Sequence, residues 1–145
     1  YSCLGYFPPQ KPSEFQRATG WDWDLSGPLG TFPEEWTPNE PDKVFAKPGW
    51  SALSNPGLRE WIVMSNIDTV MIAGTMFEFG IRQTCVDLGD NGIGSLILSD
   101  GVAALTQDSQ EYTANSIAHG LIKLRNTAET INLLSTLNQT SRVRI

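Results

Sequence analysis

Val70-Met71-Ile72-Ala73-Gly74-Thr75-Met76-Phe77-Glu78-Phe79-Gly80 decides the fold. A strand is read from Asp68 to Ala73, and its apolar core, Val70 to Ala73, predicts burial on both faces. Gly74-Thr75-Met76 reads as a tight turn, and Glu78 to about Leu88 as the helix behind it. Strand, turn and helix start in that order are where an open parallel α/β sheet presents its chemistry. Ser95-Leu96-Ile97-Leu98-Ser99-Asp100 follows as a second apolar strand, after Gly89-Asp90-Asn91-Gly92 ends the helix. One helix and a loop between two apolar strands is the spacing of a crossover connection.

The same grammar continues on both sides. Lys43-Val44-Phe45-Ala46-Lys47 is a short strand closed by Pro48-Gly49. Ser54 or Asn55 before Pro56 marks a helix start, with proline in the first turn, and that helix runs to about Met64. Thr106 caps a helix expected to reach about His119, and Leu121 to Leu124 form a last strand. Asn126 with Glu129 three residues on is the pattern of a capping box for the terminal helix. Strand–helix alternation predicts an α/β fold, a three-layer Rossmann-like sandwich with a mostly parallel sheet, over residues 43–145 of a single domain.

Residues 1–42 read differently. All nine prolines fall at or before Pro56 and all five tryptophans at or before Trp61. Proline removes a donor and restrains the residue before it, so Pro8 to Pro41 is expected to be irregular. Trp21, Trp23, Phe32 and Trp36 argue for an ordered loop, packed over the sheet or against a second subunit, because such side chains need burial.

The 145 residues suffice for one domain with a real core. A net charge of -6 argues against the basic stripe of a nucleic-acid binder and against an anionic membrane surface. No run in these residues is long enough to span a bilayer, and none reads as a secretory h-region. Cys3 and Cys85 do not make a disulfide framework, so a reducing, cytoplasmic compartment is the expectation. The only histidine, His119, and two distant cysteines give no metal site, and no cofactor is expected. His119 is expected late in its helix, complementing the dipole. Gly89, Gly92 and Gly94 follow a helix rather than a strand, which excludes a phosphate loop.

These residues resemble the isochorismatase-like hydrolases, the cysteine hydrolase superfamily, over roughly residues 43–135. In that family the residue six after the turn glycine is usually the nucleophilic cysteine; the count from Gly74 lands on Gly80. Threonine four on, glycine twelve on and aspartate twenty on are matched by Thr84, Gly92 and Asp100. Lys47 followed by Ser51-Ala52-Leu53, and Gly101-Val102-Ala103-Ala104 after Asp100, continue the likeness, and Thr127-Ala128-Glu129 looks like the family's last helix start. Sliding the frame to make Cys85 the nucleophile breaks the spacing to Gly92 and Asp100. Cys85 then has the simpler reading of a small buried hydrophobe.

The resemblance implies roles. Loss of the thiol removes covalent catalysis, but the true isochorismatases cleave a vinyl ether with glycine at that position. They are implied to need only a general acid. The expected function is therefore hydrolysis of a small, non-peptidic, vinyl-ether type molecule; the alternative is an inactive family member serving as a binding or oligomeric subunit. Lys47 and Gly80 are the implied catalytic positions. Lys47 can equally be an exposed strand-end lysine. Thr75 and Met76 match a turn where the family commonly has a cis peptide shaping an oxyanion hole; an ordinary strand-to-helix turn is the other reading. Phe77 and Phe79 line a pocket over Gly80 or pack against the loop, and Arg82 meets a substrate carboxylate or is solvated. The family's acidic residue ends a first, central strand that the sequence does not show: Asp22, Asp24, Asp42 and Asp68 do not match it, and Asp100 is structural by resemblance. Residues before Tyr1, a partner chain or a changed strand order are expected to close that gap. A homo-oligomer or a second chain is the expected partner.

Overall fold

The computed structural model of the protein describes residues 2–6, 18, 32, 34, 37–47 and 49–142. The expected packing of Trp21, Trp23 and Trp36 lies outside the described residues. The chain divides into two compact units, Tyr1–Ser65 and Asn66–Ile145. Among the described residues no helix is long and apolar enough to cross a membrane.

The first unit holds two parallel strands, β1 (Ser2–Tyr6) and β2 (Lys43–Lys47), in register from Ser2 opposite Lys43 to Tyr6 opposite Lys47. The sequence reading placed no strand before Lys43, and β1 is an addition to it. A single 3₁₀ turn (Ala52–Ser54) leads into helix α1 (Pro56–Met64). As expected, Asn55 is the N-cap: its Oδ1 accepts the Leu58 amide at 3.1 Å, and Pro56 occupies the first turn where no donor is missed. The Asn55 side chain also donates to the Ala46 carbonyl at 2.6 Å, which ties the helix start to β2. Phe45 and Trp61 then meet with ring centroids 6.0 Å apart and planes tilted by 39°.

The second unit is a three-stranded parallel sheet in the order β3 (Thr69–Thr75), β4 (Gly94–Ala103), β5 (Ile122–Arg125). A π-helical turn (Phe77–Ile81) and helix α2 (Arg82–Asp90) connect β3 to β4. Helix α3 (Gln107–Ile117) connects β4 to β5, and helix α4 (Thr127–Arg142) follows. Phe77, Ile81, Cys85, Ile97, Val102 and Ile117 form the buried core, contributed by both crossover connections and the central strand.

Several expectations are corrected. β3 is not covered on both faces: Val70, Ile72 and Gly74 are half-buried, whereas Met71, Ala73 and Thr75 are exposed. The helix behind the turn begins as a π turn, with the Ile81 amide reaching the Met76 carbonyl at 3.3 Å. Helix α3 stops at Ile117, so the exposed His119 stands beyond it rather than in its last turn.

β4 is longer than expected because it bulges. Ile72 faces Ile97, but Gly74 faces Val102, so the four residues 98–101 of β4 stand against Ala73 alone. A Cβ on Gly101 would stand 3.1 Å from the Leu98 Cβ and 3.4 Å from the Ala73 Cβ, so a side chain there would press on both neighbours. Gly74, across from it, has φ of 119°, a conformation L residues rarely adopt.

Candidate functional site

The turn after β3 is built by three local devices. Gly74 supplies its positive φ, and the Thr75–Met76 peptide bond is cis. Met76 then accepts the amides of both Phe79 and Ile81 through its carbonyl, at 3.3 Å each, which winds Phe77–Ile81 as a π turn. Gly80 lies in that turn, half-buried, and its carbonyl accepts the Thr84 hydroxyl at 2.6 Å. Thr84, Gly92 and Asp100 thus have distinct structural tasks in the register read from the sequence. Thr84 closes the turn, Gly92 leaves α2 with φ of 74°, and Asp100 sits on the bulge.

The expected site residues separate by environment. Phe77 is fully buried and belongs to the core cluster that includes Ile97 and Ile117, which leaves it no exposed surface with which to line a pocket over Gly80. Phe79 is 37% exposed, Thr75 and Arg82 are exposed, and Met76 is half-buried. In the other unit, Lys47 ends β2 half-buried, and its Nζ donates to the carbonyls of Gly49 and Trp50 at 2.7 Å each. Burial lowers its pKa from the usual lysine value. That arrangement holds the chain after the strand and leaves an ammonium in a partly dry setting.

Cys85 belongs to the buried core. It has no exposed surface, and burial pushes its thiol up to about 11. The adjacent Ser95 hydroxyl acts weakly in the opposite sense and does not reach hydrogen-bond geometry, its Oγ being buried without a partner. A thiol held protonated in a core is not a nucleophile.

Glu78 was missed by the sequence reading. Its Oε1 accepts the Leu105 amide at 2.8 Å, so it links the Gly80 turn to the loop after β4. The signal was present as the one acid in the otherwise apolar run Met76–Phe79, but its partner lies 27 residues away. Among the described residues, no group of three or more His, Cys, Asp or Glu side chains could hold a metal ion.

The family model for the isochorismatase domain matches residues 3–129, beginning inside β1. The chain belongs to the isochorismatase family. An isochorismatase-like hydrolase from Alkaliphilus metalliredigens is 26% identical, with a TM-score of 0.67 over 70% of this chain and 56% of that one. An isochorismatase family protein from Desulfovibrio vulgaris gives 19% identity and a TM-score of 0.69, over 75% of this chain and 57% of that one. A pyrazinamidase of Pyrococcus horikoshii gives 18% and 0.74, over 86% of this chain and 74% of that one. The last two likenesses carry the fold alone, the α/β isochorismatase-type architecture expected from the sequence. The chain spans a little over half the length of the first two. No curated protein sequence matches. Within the isochorismatase family, then, this chain carries Gly80 in the turn after β3 and a carboxylate, Glu78, two residues before it.

Proposed function

We propose that the protein hydrolyses a small non-peptidic molecule of the vinyl-ether type without a covalent intermediate. Gly80 carries this reading: the spacing to Thr84, Gly92 and Asp100 equates it with the family's nucleophile, it has no side chain to attack with, and Cys85 is too buried and too basic to substitute for it. In such a reaction the vinyl carbon takes a proton and water adds to the resulting oxocarbenium carbon. The hemiketal then collapses to a carbonyl compound and an alcohol, so no enzyme atom need be acylated. Thr75, Met76, Phe79 and Arg82 are the proposed substrate contacts, and Lys47 the proposed electrostatic support. A cytoplasmic location, and a homo-oligomer or a second chain as partner, belong to the same reading.

A specific observation favours the second reading, an inactive member that serves as a binding or oligomeric subunit. β1 contains no acidic residue, Asp100 is committed to Thr127, and Glu78 to Leu105. The test is pyruvate release from an enolpyruvyl ether such as isochorismate, with the full chain and with Lys47→Ala. Turnover that Lys47→Ala abolishes, while the thermal melt stays cooperative, supports the hydrolase. No release by the native chain, with Lys47→Ala changing only the melt, supports the binding subunit.

A further inference from the structure

Helix α4 carries an apolar stripe that the fold begins to cover and then leaves open. Thr130, Leu133, Leu134 and Leu137 recur at i, i+3, i+4 and i+7, the spacing of one helix face. Thr130, at the start of the stripe, is 3% exposed, whereas Leu133, Leu134 and Leu137 are 40%, 41% and 53% exposed. Asn132 stands on the opposite side of the helix and is also exposed. The sheet shows the same incomplete cover. Ile72, Ile97 and Leu124 lie in register and belong to the core built with Cys85 of α2 and Ile117 of α3. Their neighbours Met71, Leu96 and Lys123 alternate to the other face, where Met71 and Lys123 are exposed and Leu96 is half-buried. Helix α4 touches β4 and, among the described residues, is the one helix of this unit that adds nothing to that core.

The chemistry of the stripe selects what covers it. From Thr130 to Ser141 there is no Asp, Glu, Lys or Arg. An anionic lipid surface selects Lys and Arg on the polar face of such a helix, and a charged partner protein selects the opposite charge at the rim; this run offers neither. The chain carries a net charge of -6, so two copies repel where their charged surfaces meet. The uncharged run lets a second copy approach without that repulsion. We propose that the protein pairs with a second copy of itself through α4, with Leu133, Leu134 and Leu137 of the two copies packed about a twofold axis. The proposal rests on the homo-oligomer reading and names its surface; turnover at the Gly80 turn does not enter it. Sixteen helical residues span about 24 Å. One face of that length falls short of the roughly 800 Å² per partner of a standard interface, so the pair is expected to exchange with monomer.

The test is sedimentation equilibrium of the full chain from micromolar to millimolar concentration. The native chain is expected to pass from monomer to dimer as concentration rises. Leu134→Lys sets like charges in the contact and should weaken the dimer about tenfold or more. Asn132→Lys adds the same charge on the opposite side of α4 and should leave the dimer intact. Both variants reduce the net negative charge, so a general charge effect would tighten the pair rather than loosen it. Should Leu134→Lys not melt cooperatively, Leu137→Lys at the more exposed position takes its place. A native dimer that the leucine variant leaves unchanged, or that Asn132→Lys weakens equally, overturns the surface and leaves the homo-oligomer reading standing. A native chain that stays monomeric at millimolar concentration overturns both, the stripe then being covered within the chain or by a different partner.

Discussion

Asp100 and Thr127 are 27 residues apart in sequence and joined twice: Asp100 Oδ1 accepts both the Thr127 amide and the Thr127 hydroxyl, each at 2.9 Å. The bulge of β4 therefore clamps the start of α4. The Thr127 hydroxyl, aided by its amide, holds the Asp100 carboxyl below the usual carboxylate range. The sign follows from that direction. A depressed carboxylate contributes stability that is present above its unfolded pKa, about 4, and lost as pH falls through the folded value. Urea midpoints measured downward from pH 6 should therefore fall below about pH 4. Asp100→Asn, which still accepts but no longer titrates, should flatten part of that fall. Identical acid slopes for the two proteins would remove Asp100 from the account.

Gly74 is required by its backbone rather than by space. Its φ of 119° excludes ordinary L residues, although a Cβ there would meet nothing within 4 Å. Gly74→Ala is therefore expected to cost about 1–3 kcal/mol through strain alone, read as a lower urea midpoint with an unchanged m-value. A variant as stable as the native chain would show that the turn relaxes to a negative φ.

Burial of Cys85 predicts silence. With its thiol pushed up to about 11 and no exposed surface, it should stay unlabelled by iodoacetamide at pH 8 until the unit unfolds. Peptide mapping separates it from Cys3. Phe77→Ala, which empties the neighbouring core position, should cost about 3–5 kcal/mol and open Cys85 to labelling. Rapid alkylation of Cys85 in the native chain would instead place it at an accessible surface.

What was legible in the sequence was local. The capping box at Asn126 and Glu129 forms as read: the Glu129 amide donates to Asn126 Oδ1 at 2.8 Å and the Asn126 amide to Glu129 Oε2 at 3.3 Å. Asn55 and Thr106 also cap as expected, since each needs only the three residues that follow. Features set by distant partners were not legible. β1 is five residues containing a glycine, with no clear alternation, and its partner strand begins only at Lys43. The apolar composition of β3 suggested two covered faces, yet composition does not say how many layers cover it, and Met71 is 48% exposed. The turn and helix start that hold Gly80 were legible in the run Val70–Gly80. The role of Glu78 was not, because the amide it holds belongs to another loop.

Gly80 allows a direct challenge to its register with Thr84, Gly92 and Asp100. Gly80→Cys restores the residue usual in the family, in a half-buried π turn that leads into α2. Free amides at a helix start favour a thiolate, so the new thiol should have a lowered pKa and react with iodoacetamide well before Cys85 does. Reactivity alone does not make an amidase. The base that an acyl transfer needs is not provided by Asp100, which remains bound to Thr127, so no amide hydrolysis is expected from the variant. The measurement is labelling rate by mass spectrometry, beside a nicotinamide hydrolysis assay. A thiol at position 80 that resists labelling in the folded chain would show that the turn is closed to small molecules. The vinyl-ether reading would fall with it, because a substrate that cannot reach Gly80 cannot be cleaved there.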